Sequence, residues 1–180
     1  MVERKLKVKI CLVGDSAVGK TSLIKKFVLD IFDDSYITTI GTKITKKSMH
    51  FNMDGKDIEM DMMIWDIMGQ ASFRSLLQDA YFYGAHGVLA VCDATRPETA
   101  NSLHDWMTST QQVVGEVPAI FLANKCDLEM NVTQEQLNSE VSQYGGVAMF
   151  SSAKTGQNVA EAFHALGEAI IDKYFPEMKE

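Results

Sequence analysis

The sequence is poor in the residues that interrupt or staple a chain. Its 180 residues include only three prolines and three cysteines. So few prolines leave no proline-rich linker. No internal repeat or low-complexity tract divides the chain, so a single domain over residues 1–180 is expected. Cys11, Cys92 and Cys126 are widely spaced and form no C-x-x-C pair. That excludes a disulfide framework and a zinc site, and predicts reduced thiols in the core. The four histidines show no ligand spacing either. No run approaches the ~18 apolar residues of a membrane helix. The opening M-V-E-R-K-L-K-V-K-I lacks the apolar stretch of a signal peptide. No cysteine follows Cys126, so no prenylation cysteine is expected in this chain. Positive charge is also short: the net charge of −7 argues against a nucleic-acid binder. Arginine occurs only as Arg4, Arg74 and Arg96. The expectation is a cytoplasmic monomer that reaches a membrane only through a partner.

What is present is a globular composition, 46% apolar and 23% charged, enough to bury a core. Short apolar runs at Ile10–Val13, Val88–Cys92, Ala119–Ala123 and Val147–Phe150 predict buried strands of a parallel sheet. Leu103, Trp106, Met107, Thr110, Val113 and Val114 recur at helical spacing between Thr99 and Gly115. So do Val159, Ala162, Phe163, Leu166, Ala169 and Ile170. Strands alternating with helices indicate βαβ units. Asp54-Gly55 is a hairpin signal. After it Ile58, Met60, Met62 and Ile64 alternate with Asp57, Glu59, Asp61 and Met63, a strand with one wet face; before it Thr45, Lys47, Met49, Phe51 and Met53 alternate likewise. Lys43, Lys46 and Lys47 read as the charges that protect an exposed edge. Most of the eleven methionines read as core filling, Met63 being the exception on the polar side.

G-D-S-A-V-G-K-T, Gly14 to Thr21, fits G-x-x-x-x-G-K-[ST] between a strand and a helical stretch. The glycines let backbone N–H groups close on phosphate oxygens, and the helix start adds its dipole. Lys20 would neutralise phosphate charge, and the Thr21 hydroxyl would ligate Mg²⁺. The candidate cradle is Gly14, Asp15, Ser16, Ala17, Val18, Gly19, Lys20, Thr21 and Ser22. Asn124-Lys125-Cys126-Asp127 follows another strand, where open α/β sheets bind ligands. A carboxylate at Asp127 can accept both the N1–H and the exocyclic amine of guanine. Adenine would leave it unpaired, at a cost of about 1–3 kcal/mol.

With GDSAVGKT, TTIGT, WDIMGQ, NKCD and SSAK in order, the chain resembles a Ras-superfamily small GTPase of the Rab-like branch from Lys7 to about Phe175. The resemblance implies an α/β P-loop GTPase domain. Its six-stranded, mostly parallel sheet would have one antiparallel edge strand and helices on both faces. It implies GTP and GDP as ligands, with Asn124, Lys125 and Asp127 at the base, Ser152, Ala153 and Lys154 beside it, and Phe32 packed against it. Tyr36 would close over the phosphates, and Thr39 would complete an Mg²⁺ shell with Thr21 and Asp66. Gly69 would donate to the γ-phosphate, Gln70 would orient the attacking water, and Lys20 would assist. Effectors, exchange factors and activating proteins would dock on residues 31–53 and 67–83. Ile67, Met68 and Ala71 depart from the usual D-T-A-G-Q-E, and the stretch from Gln70 to Gly84-Ala85 is one residue longer than the Rab pattern. Two rival readings remain: a nucleotide-bound adaptor with little hydrolysis, and a P-loop kinase or ATPase. Arg96 is expected in a loop apart from the phosphates, leaving no built-in arginine finger.

Overall fold

The computed structural model describes residues 4–35, 39, 41–67, 69 and 78–179. Its elements are β1 (Arg4–Val13), α1 (Lys20–Leu29), β2 (Thr42–Met53), β3 (Lys56–Ile67), β4 (Gly87–Asp93), α2 (Pro97–Asn101), α3 (Leu103–Val114), β5 (Ala119–Asn124), α4 (Gln134–Val141), β6 (Val147–Phe150) and α5 (Val159–Tyr174). A helical turn over 78–82 precedes β4. The sheet runs β2-β3-β1-β4-β5-β6, with β2 antiparallel to β3 and every other pair parallel. This is the expected mixed sheet.

Period-2 alternation splits the core between the two faces. Leu6, Val8, Ile10 and Leu12 of β1 join Met60, Met62 and Ile64 of β3 beneath α1 and α5. Phe27 and Phe163 stack at 4.0 Å and lock those two helices together. Cys11 and Val13 face the other way, against Leu103, Trp106 and Met107 of α3 and Leu137 of α4. Asp54 and Gly55 both have positive φ, 51° and 85°, so the β2–β3 hairpin closes with the predicted tight turn.

The structure revises several expectations. β1 begins at Arg4 rather than Ile10, because β3 pairs with it along its whole polar first half. The six residues at helical spacing between Thr99 and Gly115 all fall on α3, and the unforeseen α2 precedes it across Ser102. On α5 the buried face includes Gly167 and Ile171, while Ala169 is half-buried. β6 lies at the sheet edge, which leaves Val147 54% exposed. Asp61, expected in water, is buried: Ser48 donates to it, and Lys46 and Lys5 lie 2.7 and 3.6 Å away. Lys46, read only as an edge guard, therefore also pairs with this carboxylate, which these partners hold down at about 2. Met60 and Met62 do fill the core, and Met63 is half-buried between Lys9 and Lys46. Cys11 and Cys92 are core thiols, but Cys126 is half-buried on a loop. Helix α4 was not foreseen. Its signal was there: the Thr133 side chain accepts from Gln136 N–H while the Gln136 side chain accepts from Thr133 N–H, a capping box.

Candidate functional site

Five mutually parallel strands, β3, β1, β4, β5 and β6, end at one edge of the sheet. Their loops deliver Asp66 and Gly69, Gly14–Gly19, Asp93, Asn124–Asp127 and Ser151–Lys154 to the same place. A cleft of about 340 Å³ opens there. Its phosphate-loop wall is Ser16, Ala17, Gly19, Lys20, Thr21 and Ser22. Facing it are Ile31, Phe32, Asp33, Asp34, Ser35 and Thr39. Asn124, Lys125, Asp127, Leu128, Ala153 and Lys154 close one end, with Lys25, Ile67 and Gly69 completing the lining.

The phosphate loop is pressed hard against its surroundings. Gly14 has φ 142°, and a Cβ there would stand 2.1 Å from the Val91 carbonyl oxygen. A Cβ on Gly69 would stand 2.5 Å from Ser16 N and Asp15 C, so Gly69 rests on the loop backbone. Gly19, φ 101°, begins α1, whose first turn carries no acidic side chain. Its positive end is thus left open to an anion. Lys20 is buried, and its Nζ donates to Gly14 O at 2.7 Å and Asp15 O at 2.8 Å. Burial lowers its pKa to about 8, against the pull of Asp66 and Asp15.

Beside Lys20, three oxygens converge. Thr21 Oγ1 lies 2.8 Å from Thr39 Oγ1 and donates to Asp66 Oδ2 at 2.5 Å. Asp66 is buried, and its Oδ1 has no hydrogen-bond partner. Burial raises its pKa above 3.8, although Thr21 and Lys20 oppose the shift. Two hydroxyls and a carboxylate with one orphaned buried oxygen form a hard-oxygen donor set, the chemistry that suits Mg²⁺.

At the other end Asn124 is a brace. Its Nδ2 donates to Val18 O at 3.0 Å, and its Oδ1 accepts from Ser151 Oγ and Ala153 N, each at 3.2 Å. Lys125, in a left-handed conformation (φ 67°), donates to Ala17 O at 2.7 Å. Ser152 Oγ donates to Asp127 Oδ1 at 2.7 Å, and its side chain holds Asp127 rather than lining the cleft. Gly14, Asp15 and Val18 also stand behind the cleft wall: Val18 is in the core, and Asp15 accepts from Trp106 Nε1 at 2.9 Å. Tyr36 and Gln70, with Met68 and Ala71, lie outside the described residues.

Three residues were missed. Asp93, at the end of β4, takes four donors: Arg96 Nε, Lys125 Nζ, Thr95 N and Thr95 Oγ1. Burial pushes its pKa up, but Lys125 and Thr95 outweigh that and hold it low. Arg96 is not apart from the phosphate loop: its Nη2 donates to Ser16 O at 2.9 Å. Trp106, read as a core residue, also donates to Asp15. An acidic residue at the carboxyl end of a parallel strand was the available signal for Asp93.

A glycine-bounded loop, a buried lysine and a hard-oxygen cluster face a carboxylate-bearing loop across one cleft, and comparison with known proteins agrees. The Ras family signature matches residues 9–172. The chain belongs to the Ras family. It is 37% identical over 168 residues to Ras-related protein Rab-13 of Mesocricetus auratus, covering 92% of this chain and 80% of that protein. It is 39% identical over 166 residues to GTP-binding protein ypt2 of Schizosaccharomyces pombe, covering 91% and 80%. Against Ras-related protein Rab-8B of Homo sapiens the figures are 35% over 175 residues, 96% and 82%. This is a Rab-like GTPase of the Ras superfamily, a small GTP-binding switch protein.

Proposed function

We propose that this Rab-like GTPase, a single domain over residues 1–180, cycles between GTP- and GDP-bound states with Mg²⁺, hydrolyses GTP slowly, and signals to protein partners, in membrane trafficking as a small switch. The observation that carries this reading is the convergence of Lys20, Thr21, Thr39 and Asp66 at one end of a cleft whose other end holds Asp127.

In this reading the N–H groups of the loop from Gly14 to Gly19 and the Lys20 ammonium bind the phosphates. Phosphate charge offsets the burial that depresses Lys20. Asp127 accepts from guanine, Ser152 holds it in place, and Phe32 and the Lys125 stem flank the base. Thr21, Thr39 and Asp66 would hold Mg²⁺, with the orphaned Asp66 oxygen offered to its shell. Bound there, the metal supplies charge neutralisation at the β- and γ-phosphates. Gly69, which lies against the loop backbone, would sense the third phosphate, and Gln70 would orient the attacking water, both by family resemblance. The loops around 31–41 and 67–77 would respond to that phosphate, and the stretches 31–53 and 67–83 are the surfaces for effectors, exchange factors and activating proteins. Any membrane contact is peripheral; among the described residues no helix is long and apolar enough to cross a bilayer.

The test is the nucleotide carried by the purified protein, read by chromatography after denaturation. GDP or GTP at near one per chain is expected. Adenine nucleotide, or none together with no uptake of added GDP, would sink the proposal.

A further inference from the structure

Three successive carbonyls of the phosphate loop are each held by a side chain from another loop. Arg96 Nη2 donates to Ser16 O (2.9 Å), Lys125 Nζ to Ala17 O (2.7 Å) and Asn124 Nδ2 to Val18 O (3.0 Å). No peptide bond among the described residues is cis. In a planar trans peptide the N–H points opposite to the C=O. Each held carbonyl therefore turns the next residue's N–H away from its holder. For Ala17 that direction is toward the cleft, which Ser16 and Ala17 line and Arg96 does not; Asn124 and Lys125 hold the other two carbonyls from the cleft's own wall. Cations on the oxygen ends also polarise the peptides, making the N–H ends better donors.

Arg96 has no freedom to do otherwise. Its Nε lies 3.1 Å from Asp93 Oδ2, the same oxygen that Lys125 Nζ meets at 2.7 Å. Thr95 N and Oγ1 occupy Oδ1 at 2.9 and 2.7 Å. Asp93 is buried and fully subscribed, so it fixes both cations and aims them at adjacent carbonyls. The guanidinium fork permits this: one nitrogen serves the carboxylate while another reaches the loop.

We propose that Arg96 is a positioning residue for phosphate binding, holding the Ser16–Ala17 peptide so that the Ala17 N–H faces the nucleotide's phosphates. The inference rests on the reading of the cleft as a guanine-nucleotide site. It deepens that reading by adding an arginine that never touches the ligand.

The experiment uses the full chain loaded with GDP, as wild type, Arg96→Ala, Arg96→Gln and Arg96→Lys. Loss of one charge-assisted hydrogen bond predicts GDP release about tenfold faster in Arg96→Ala. IDP lacks the exocyclic amine of guanine, and its release should accelerate by the same factor, since base reading is untouched. The Ala17 amide proton and the bound β-phosphate ³¹P resonance should both shift, while the Asp127 amide stays in place. Arg96→Lys should recover part of the effect, because one ammonium cannot serve both Asp93 and Ser16 O as the fork does. If Arg96→Ala does not fold, Arg96→Gln gives the same reading, its neutral amide ending where the Nε of arginine stands and short of Ser16 O. Unchanged GDP release and an unmoved Ala17 amide in the folded variant overturn the proposal. So does acceleration of GDP alone with IDP unaffected, which would place Arg96 in base reading. A wild-type protein that retains no GDP would instead overturn the nucleotide reading beneath it.

Discussion

Thr21 and Thr39 are separated by 18 positions, yet their hydroxyl oxygens lie 2.8 Å apart. The first lies in the first turn of α1, and the second belongs to the opposite wall of the cleft. In the proposed reading a shared cation would account for a loop residue bringing its hydroxyl there. Thr39→Ala is expected to leave GDP affinity within about threefold, since it removes a ligand used only in the closed state. The variant should lose the protection from proteolysis that a non-hydrolysable GTP analogue gives residues 31–41. Equal protection in variant and wild type would remove Thr39 from that role.

Asp66 makes a second prediction. Its buried carboxyl, with Oδ1 unpartnered and its pKa raised by burial, gains most from a cation. Adding Mg²⁺ to the GDP-loaded protein should raise the melting temperature, and Asp66→Asn should abolish most of that gain. Because the folded-state pKa lies above 3.8, the metal-free protein binds extra protons between 3.8 and the raised value. Its stability should therefore fall as pH rises through that window, and Mg²⁺ should reverse the trend. An equal Mg²⁺ response in wild type and Asp66→Asn at neutral pH counts against the assignment.

Base choice should rest on Asp127. Asp127→Asn is expected to weaken GDP by roughly tenfold or more, the cost of an unmatched buried donor pair, and to favour XDP, whose added carbonyl accepts from the new amide. Competition binding with GDP and XDP measures it. A retained preference for GDP would place the base elsewhere.

Unaided hydrolysis should be slow. An arginine at the transferring phosphate is worth about 10³–10⁵ in rate, and none is free for it among the described residues. Arg4 pairs with Glu177 on the first strand, and Arg96 is committed to Asp93 and Ser16 O. Arg74 is outside the described residues. Single-turnover assays of wild type, Gln70→Leu and Arg74→Ala decide this. Expected are slow turnover, further loss in Gln70→Leu and indifference to Arg74→Ala. Collapse in Arg74→Ala from a fast wild type would show a built-in finger, and no hydrolysis at all would favour the adaptor reading.

These predictions draw unequally on sequence and structure. Gly14 to Thr21 and Asn124 to Asp127 were legible because their chemistry demands contiguous residues after a strand. The sheet was legible because Ile58, Met60, Met62 and Ile64 alternate cleanly. Arg96 was misjudged because its partners are distant in sequence, Ser16 lying 80 residues away. Only the β1-β4-β5 strand order brings those loops together. Asp61 failed for the same reason, since Lys5, Lys46 and Ser48 arrive from two neighbouring strands. Alternation says which way a side chain points, not what covers it.

Asn124 has a consequence for how long a nucleotide stays. With bonds to Val18, Ser151 and Ala153, it makes the phosphate loop, the end of β5 and the 151–153 turn one mechanical piece. Such a wall cannot yield at the base end while holding at the phosphate end. Departure is then timed by the opposite wall, residues 31–35 with Thr39 and Gly69. In the proposed cycle the lifetime of either state would be set mainly by that short wall, and a factor that hastens exchange would have its leverage there.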